Sequence, residues 1–164
     1  MFPARVGAVA TTYEHLALDQ QLCFALHTAS RAVTRAYAPL LERSGLTYPQ
    51  YVTMLALWER AGEPLTVGAL GSRLRLETGT LTPLLKRLEA LGYVRRTRDR
   101  ADERRVLVEL SERGLALRDE LATVPAALVQ ASGLEVDDIA ELRRSLVELV
   151  RHLDAGMPEA ARSS

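Results

Sequence analysis

The chain has 164 residues and a mass of 18.1 kDa, which suits one compact domain with an apolar core. Hydrophobic residues make up 48% and charged residues 26%, ordinary globular values that exclude disorder as the main state. The formal net charge is zero, but residues 60–105 hold eleven Lys or Arg against six Asp or Glu. Residues 106–164 hold six Lys or Arg against eleven Asp or Glu. A middle segment of net charge +5 points to a polyanionic partner, because binding responds to the local potential.

Membrane and metal-binding classes are also excluded. No apolar run approaches the roughly 18 residues that span a bilayer, and residues 1–10 are a poor signal peptide. We therefore expect a cytoplasmic protein with no membrane partner. The single cysteine, Cys23, cannot form an internal disulfide, and His15, His27 and His152 are too scattered to bind a metal with it. No metal and no cofactor are expected.

Two helices are predicted in the first part of the chain. From Asp19 onward, apolar residues recur at helical spacing, so we predict a helix over residues 19–38 with Asp19 as its N-cap and Pro39 as its stop. A second helix follows Thr47, which caps it, and holds Pro49 in its first turn.

The middle segment predicts a helix-turn-helix followed by a β-hairpin. A short apolar helix leads through a tight turn into a second helix. We favour an early start at Thr78, with Pro83 inside the helix, over a later start with Thr82 as N-cap and Pro83 as the first helical residue. The period then changes, because residues 93–97 and 105–110 are rich in β-branched residues and partly alternate. We predict a two-stranded hairpin whose polar tip spans residues 98–104.

Further helices complete the chain. Ser111 opens a helix that runs to about Leu121 and is interrupted or shifted near Pro125. A last helix is predicted over residues 135–153. It carries an apolar stripe at Ile139, Leu142, Leu146, Leu149, Val150 and Leu153. Such a stripe must be covered, either by the first helix of the same chain or by a second copy.

A helix-turn-helix followed at once by a basic hairpin is the layout of a winged helix. The predicted fold is mainly α with a small β-hairpin wing: a winged helix-turn-helix with N- and C-terminal dimerisation helices in one structural domain. An all-helical protein with an incidental hairpin is the alternative. The predicted segments are a flexible tail (1–17), sensing and dimerisation helices (18–60), a DNA-binding lobe (61–110), dimerisation helices (111–154) and a second flexible tail (155–164).

Several short runs carry a resemblance to a known family. Residues 65–91, the run from Asp102 to Val106 and the run from Leu110 to Gly114 resemble the MarR family of winged-helix repressors. Further blocks are similar to the OhrR organic-peroxide sensors of that family, namely residues 21–26, Tyr37, residues 46–51, residues 57–59 and residues 79–87. The resemblance covers about residues 18–153. It implies a homodimeric DNA-binding transcriptional repressor and not an enzyme.

The resemblance also implies that Cys23 senses peroxide. A thiol of ordinary pKa, about 8.5, is only about 3% ionised at pH 7, so a sensor needs surroundings that favour the thiolate, such as the start of a helix. Tyr37 and Tyr48 match the tyrosines that hydrogen-bond the sulfur from the partner subunit. His27 stands where the family has a third tyrosine, and Phe24 belongs to the same pocket. An organic hydroperoxide and a small cellular thiol are the implied reactants, since the chain has no second cysteine.

On the DNA side, Arg104 matches the wing-tip arginine that enters the narrow minor groove of A·T-rich DNA, and Asp102 is expected to orient it. Candidates for base and phosphate contacts lie on the second helix of the helix-turn-helix: Thr78, Thr80, Thr82, Lys86 and Arg87. Candidates for backbone contacts lie on the hairpin: Arg95, Arg96 and Arg98. A two-fold dimer predicts an inverted-repeat operator with half-sites about one helical turn apart.

Three other functions remain open from the sequence. The nearest is a MarR-type repressor that a small aromatic ligand releases, with Cys23 structural. A thiol peroxidase is another, although the chain offers no resolving thiol or base. A helical interaction scaffold is the third, and it predicts no specific DNA binding.

Overall fold

The computed structural model describes Tyr13 and residues 16–156. The predicted tails, residues 1–17 and 155–164, lie largely beyond this part of the chain, and His15 lies outside it. The backbone packs as two compact units, of which the first ends at Arg35 and the second begins at Ala36.

The first helix, α1, spans Leu22–Leu41, so both of its ends differ from the prediction. Asp19 is not its N-cap, because it lies in a separate 3-10 turn, Leu18–Gln20. The first α-helical bond runs from the Ala25 N–H to the Gln21 carbonyl at 3.1 Å, so the helix begins three residues later than predicted.

The C-terminal end of α1 continues past Pro39, which was predicted to stop it. Leu41 is fully buried and Leu40 packs against the core of the second unit. A proline this close to the end of a helix removes one backbone bond, and burial of the two leucines that follow offsets that loss.

The second helix, α2, spans Tyr48–Trp58 and begins where the sequence predicts. The Gln50 side-chain oxygen accepts the Thr47 N–H at 2.9 Å, and Pro49 lies in the first turn, where its missing N–H leaves no helical bond unmade. Its buried side chains pack at the centre of the second unit. They are Gln50, Tyr51, Thr53, Met54, Ala56, Leu57 and Trp58.

Two short helices form the predicted helix-turn-helix: α3 spans Val67–Leu74 and α4 spans Thr78–Ala90. The Thr66 side chain caps α3 by accepting the Ala69 N–H at 3.1 Å. The early start of α4 is confirmed, with Pro83 inside the helix. Its inner face is buried at Leu81, Leu85 and Leu88.

A small antiparallel sheet follows, with β1 at Leu65–Thr66, β2 at Val94–Arg98 and β3 at Val106–Leu110. The strand order is β1-β3-β2, and Thr66 of β1 pairs with Leu107 of β3. The predicted two-stranded hairpin is confirmed as β2 and β3. The third strand, β1, was not predicted, because a strand of two residues has no detectable alternation. The fold class, mainly α with a β-hairpin wing, is confirmed.

Three helices end the described chain: α5 at Glu112–Glu120, α6 at Val124–Ser132 and α7 at Val136–Gly156. Ser111 caps α5 as predicted by accepting the Gly114 N–H at 3.0 Å, and Pro125 lies at the start of a new helix. Among residues 16–156 and Tyr13, no helix is both long and apolar enough to cross a membrane.

Gly114 joins three of these elements. Trp58 donates its indole N–H to the Gly114 carbonyl at 2.8 Å, and a Cβ at position 114 would lie 2.0 Å from the Tyr93 carbonyl oxygen. Only glycine therefore fits where α5 crosses the start of β2. This contact fixes the base of the hairpin against the core.

Candidate functional site

A cleft of about 360 Å³ lies between α4 and the hairpin. The start of α3 contributes Thr66, Val67 and Gly68 to its lining, α4 contributes Thr78, Thr82 and Leu85, and the hairpin contributes Arg96, Arg104, Arg105 and Val106. Three arginines, three threonines and the N-terminal end of α3 make this cleft suited to an anionic partner.

The structure brings four of the ten predicted DNA-contact residues together in this cleft, namely Thr78, Thr82, Arg96 and Arg104. The other six do not line it, and all of them are exposed: Thr80, Lys86, Arg87, Arg95, Arg98 and Asp102. The hydroxyl of Thr82 donates to the Thr78 carbonyl at 2.7 Å, so it can only accept a bond from a partner.

Asp102 acts on the backbone of Arg104 and not on its guanidinium. The Asp102 carboxylate accepts the Arg104 N–H at 3.1 Å, and the Asp102 carbonyl accepts the Arg105 N–H at 2.9 Å. Asp99 accepts the Ala101 N–H at 2.9 Å in the same turn. Within the described chain the Arg104 guanidinium has no ion-pair partner. The turn is held rigid while its cation stays available.

Arg96 has a partner that the sequence did not predict. Glu89, near the end of α4, accepts the Arg96 backbone N–H at 3.1 Å, its Nε at 2.9 Å and its Nη2 at 2.5 Å. Hydrogen bonds and the charge of Arg96 hold the pKa of Glu89 below the ordinary glutamate value, against a smaller opposing effect of burial. The carboxylate therefore stays ionised throughout the neutral range, and the pair is lost only as the pH falls through that lowered pKa.

Three residues at this site were missed by sequence reasoning: Thr66, Glu89 and Arg105. Thr66 could have been identified, because a threonine directly before an apolar helix predicts an N-cap, and the side chain of an N-cap lies at the N-terminal end of its helix. Arg105 directly follows the hairpin tip, and its Nη1 lies 3.8 Å from the Asp99 carboxylate. Glu89 had no signal, since nothing in the sequence predicts its pairing with a residue seven positions later.

Cys23 is the second residue of α1 and is exposed. It lies inside the first turn, closer to the helix start than the predicted cap at Asp19 implied, where unpaired amides favour a negative charge. His27 follows one turn later on the same face and is exposed, and Phe24 is 36% exposed. Among the described residues of the first unit none is buried.

Tyr37 and Tyr48 meet in the second unit. Their ring centroids are 4.7 Å apart, and Tyr51 lies 5.5 Å from Tyr37 on its other side. Burial, helped by Tyr48 and Tyr51, raises the pKa of Tyr37 above the ordinary tyrosine value. Neither hydroxyl of the Tyr37–Tyr48 pair has a hydrogen-bond partner within residues 16–156. Both hydroxyls are therefore free to donate a hydrogen bond, as the predicted sensing pocket requires.

Sequence comparison assigns the chain to a family. A family model described as transcriptional regulator SarA/Rot matches residues 35–121, more than half of the chain. The organic hydroperoxide resistance transcriptional regulator of Bacillus subtilis is 41% identical over 141 residues, which are 86% of this chain and 95% of that protein. The chain belongs to the MarR family of winged-helix transcriptional regulators.

Solved structures of other MarR-type regulators share this fold. Reduced AbfR bound to DNA matches with a TM-score of 0.70 and 34% identity over 86% of this MarR-family chain and 97% of that one; AbfR comes from Staphylococcus epidermidis. Overoxidised AbfR is also bound to DNA in its solved structure. CouR from Rhodococcus jostii RHA1, bound to p-coumaroyl-CoA, matches with a TM-score of 0.67 and 27% identity over 81% of this chain and 94% of that one.

Proposed function

We propose that this MarR-family chain is a DNA-binding transcriptional repressor that releases its operator when an organic hydroperoxide oxidises Cys23. The observation that carries the DNA-binding part is the cleft, where Arg104 and Thr78 line a space between α4 and the hairpin. Support for peroxide sensing comes from the exposed thiol at the start of α1 and from the 41% identity to a hydroperoxide resistance regulator.

In the proposed complex, α4 enters the major groove and the hairpin tip reaches the neighbouring minor groove. Thr80, Lys86 and Arg87 then face bases and phosphates, and Arg95 and Arg98 face the DNA backbone. The Arg104 guanidinium enters the narrow minor groove of an A·T-rich operator, where the negative potential is strongest. The N-terminal end of α3 lies beside the same cleft and favours a phosphate.

The proposed molecule is a homodimer. No residue of α7 is buried, and its apolar stripe faces outward: Leu142 is 51% exposed, Leu146 37%, Val150 38% and Leu153 58%. A contiguous apolar stripe of this length is unfavourable in water and marks an interface. Two copies joined along it would present two DNA-binding lobes to an inverted repeat.

The proposed reaction is a two-electron oxidation of sulfur. The Cys23 thiolate attacks the terminal peroxide oxygen, an S–O bond forms as the O–O bond breaks, and the peroxide leaves as an alcohol after taking a proton. A small cellular thiol then displaces water from the sulfenic acid and leaves a mixed disulfide. Since the chain has no second cysteine, the alternatives are a sulfenamide or overoxidation.

The mixed disulfide must weaken operator binding. A hundredfold loss of affinity requires about 2.7 kcal/mol of coupling between the two sites. We propose that Tyr37 and Tyr48 of the partner subunit hydrogen-bond the thiolate and that a bulky adduct displaces them. The tyrosine pair packs against the core through Tyr51, so its displacement would disturb α2 and the lobe that follows.

The test compares the protein with its Cys23→Ser variant on its own upstream DNA. Gel shifts are run before and after cumene hydroperoxide, with and without a small thiol. The wild type should lose affinity and the variant should bind equally in all lanes. Peroxide-induced release of the variant would refute Cys23 as the sensor. Because overoxidised AbfR is bound to DNA, the mass of each product is needed to separate the mixed disulfide from overoxidation.

A second candidate function is release by a small aromatic ligand, with Cys23 inert. The solved complex of CouR with p-coumaroyl-CoA favours it. Thiol labelling at about pH 5 to 7 discriminates the two functions, because an ionised cysteine reacts there and an inert one does not. Release by an aromatic acyl thioester without any change in the mass of the protein would favour the ligand.

A further inference from the structure

Glu89 joins the DNA-recognition helix to the wing. It is the penultimate residue of α4, and its carboxylate receives three N–H donors from Arg96 at the centre of β2. The side chains are only partly exposed, 24% for Arg96 and 36% for Glu89. Two guanidinium bonds and a bond from the strand backbone fix both the side chain and the strand, which a pair of side chains alone would not do.

The strand that Glu89 holds leads directly to the DNA-facing tip. Arg96 pairs in register with the buried Val108, and β2 ends two residues later at Arg98. The tip beyond it is stiffened by Asp99 and Asp102, so an orientation imposed at Arg96 is carried to Arg104. The same Arg96 side chain lines the cleft between α4 and the hairpin.

We infer that Glu89 is a positioning residue for DNA binding, which sets the separation between α4 in the major groove and Arg104 in the minor groove. This inference rests on the proposed function, namely that the chain binds duplex DNA. Glu89 touches no DNA in this account. It acts through Arg96, which is thereby a brace of the wing rather than the phosphate contact that its charge suggests.

The direction in which one substitution changes DNA affinity separates a positioning role from a purely electrostatic one. Glu89→Gln is nearly isosteric, removes a negative charge beside the DNA surface and frees the Arg96 cation. Electrostatics alone therefore predicts tighter binding. Positioning predicts weaker binding, by about three- to tenfold, because the wing no longer meets the minor groove when α4 is docked.

The experiment is a double-mutant cycle on the operator duplex, measured by fluorescence anisotropy with the full chain. Arg104→Ala should weaken the wild type about tenfold and the Glu89→Gln variant less than about threefold, because the wing is already misplaced. Lys86→Ala on α4 is the matched control and should have the same effect in both backgrounds. Tighter binding by Glu89→Gln, or an Arg104 effect that is equal in both backgrounds, would overturn the inference.

Loss of folding is separated from loss of positioning by thermal melting of each variant. If Glu89→Gln does not fold, Arg96→Lys replaces it in the cycle, since lysine keeps the charge and loses the two-pronged geometry. It should show the same reduced effect of Arg104→Ala, and a full tenfold effect would contradict the inference. A wild type that does not bind the duplex refutes the proposed function itself, whereas binding with an additive cycle refutes only the role of Glu89.

Discussion

Arg104 combines a fixed backbone with an unpaired cation. Its N–H is bound by Asp102, and no carboxylate within residues 16–156 pairs with its guanidinium. A surface ion pair contributes little to stability, so the fold loses little when this guanidinium has no partner of its own. Because the turn already holds the residue in place, binding an external anion costs little further ordering. The thiol of Cys23, the proposed sensor, is likewise exposed, near the start of a helix.

Replacing Arg104 by alanine should lower operator affinity by about tenfold and reduce the slope of log affinity against log salt by about one, because one phosphate-neutralising cation is lost. The measurement is anisotropy at several salt concentrations. Arg60→Ala is the control, since it removes an equal charge from a residue outside the cleft. An unchanged slope for Arg104→Ala would show that this side chain does not reach the DNA backbone.

Among the elements, the hairpin depends on contacts at its base. Glu89 holds β2 to α4, and Gly114 lets α5 cross β2 at a separation that a side chain would prevent. The Tyr93 hydroxyl donates to the Ser44 carbonyl at 2.9 Å and ties the same region to the 3-10 turn Glu42–Ser44 that follows α1. The wing is therefore braced from three directions before it meets any partner.

Gly114→Ala should destabilise the fold, because its Cβ would collide with the Tyr93 carbonyl. We expect a loss of about 2 kcal/mol, or a melting midpoint lower by roughly 4 to 8 °C. Gly68→Ala is the matched control: position 68 is helical and has nothing within 4 Å of an added Cβ, so its midpoint should stay level or rise. Equal midpoints for the two variants would contradict the close crossing.

Elements with strong local signals were predictable from the sequence. Thr47 and Pro49 fixed the start of α2, and Ser111 fixed the start of α5. The start of α1 was not, because Asp19 is a suitable N-cap by residue type, and only the 3-10 turn Leu18–Gln20 that contains it moves the helix start to Leu22. The pairing of Glu89 with Arg96 and the third strand depend on tertiary packing, which leaves no local pattern.

For the whole molecule, the proposed homodimer depends on the exposed apolar stripe of α7. The stripe on α7 predicted a covered helix, and in the single chain this helix has no buried residue. The substitution Leu146→Asp should yield a monomer by analytical ultracentrifugation and lose most operator affinity, because one lobe cannot bind both half-sites.

The control for dimerisation is Val147→Asp. Val147 lies on the same helix, outside the stripe, and is 63% exposed, so the same charge there should leave the dimer intact. A Leu146→Asp protein that sediments as a dimer and binds the operator at wild-type affinity would exclude α7 as the interface.

The central claim is that the chemical state of Cys23 sets operator affinity. Its most direct test follows one sample of the protein–operator complex during titration with cumene hydroperoxide and a small thiol, with bound DNA measured by anisotropy and the Cys23 peptide by mass spectrometry. Our account predicts that bound DNA falls in proportion to the mixed disulfide on Cys23. Release while Cys23 is unmodified, or complete modification with unchanged binding, would contradict it.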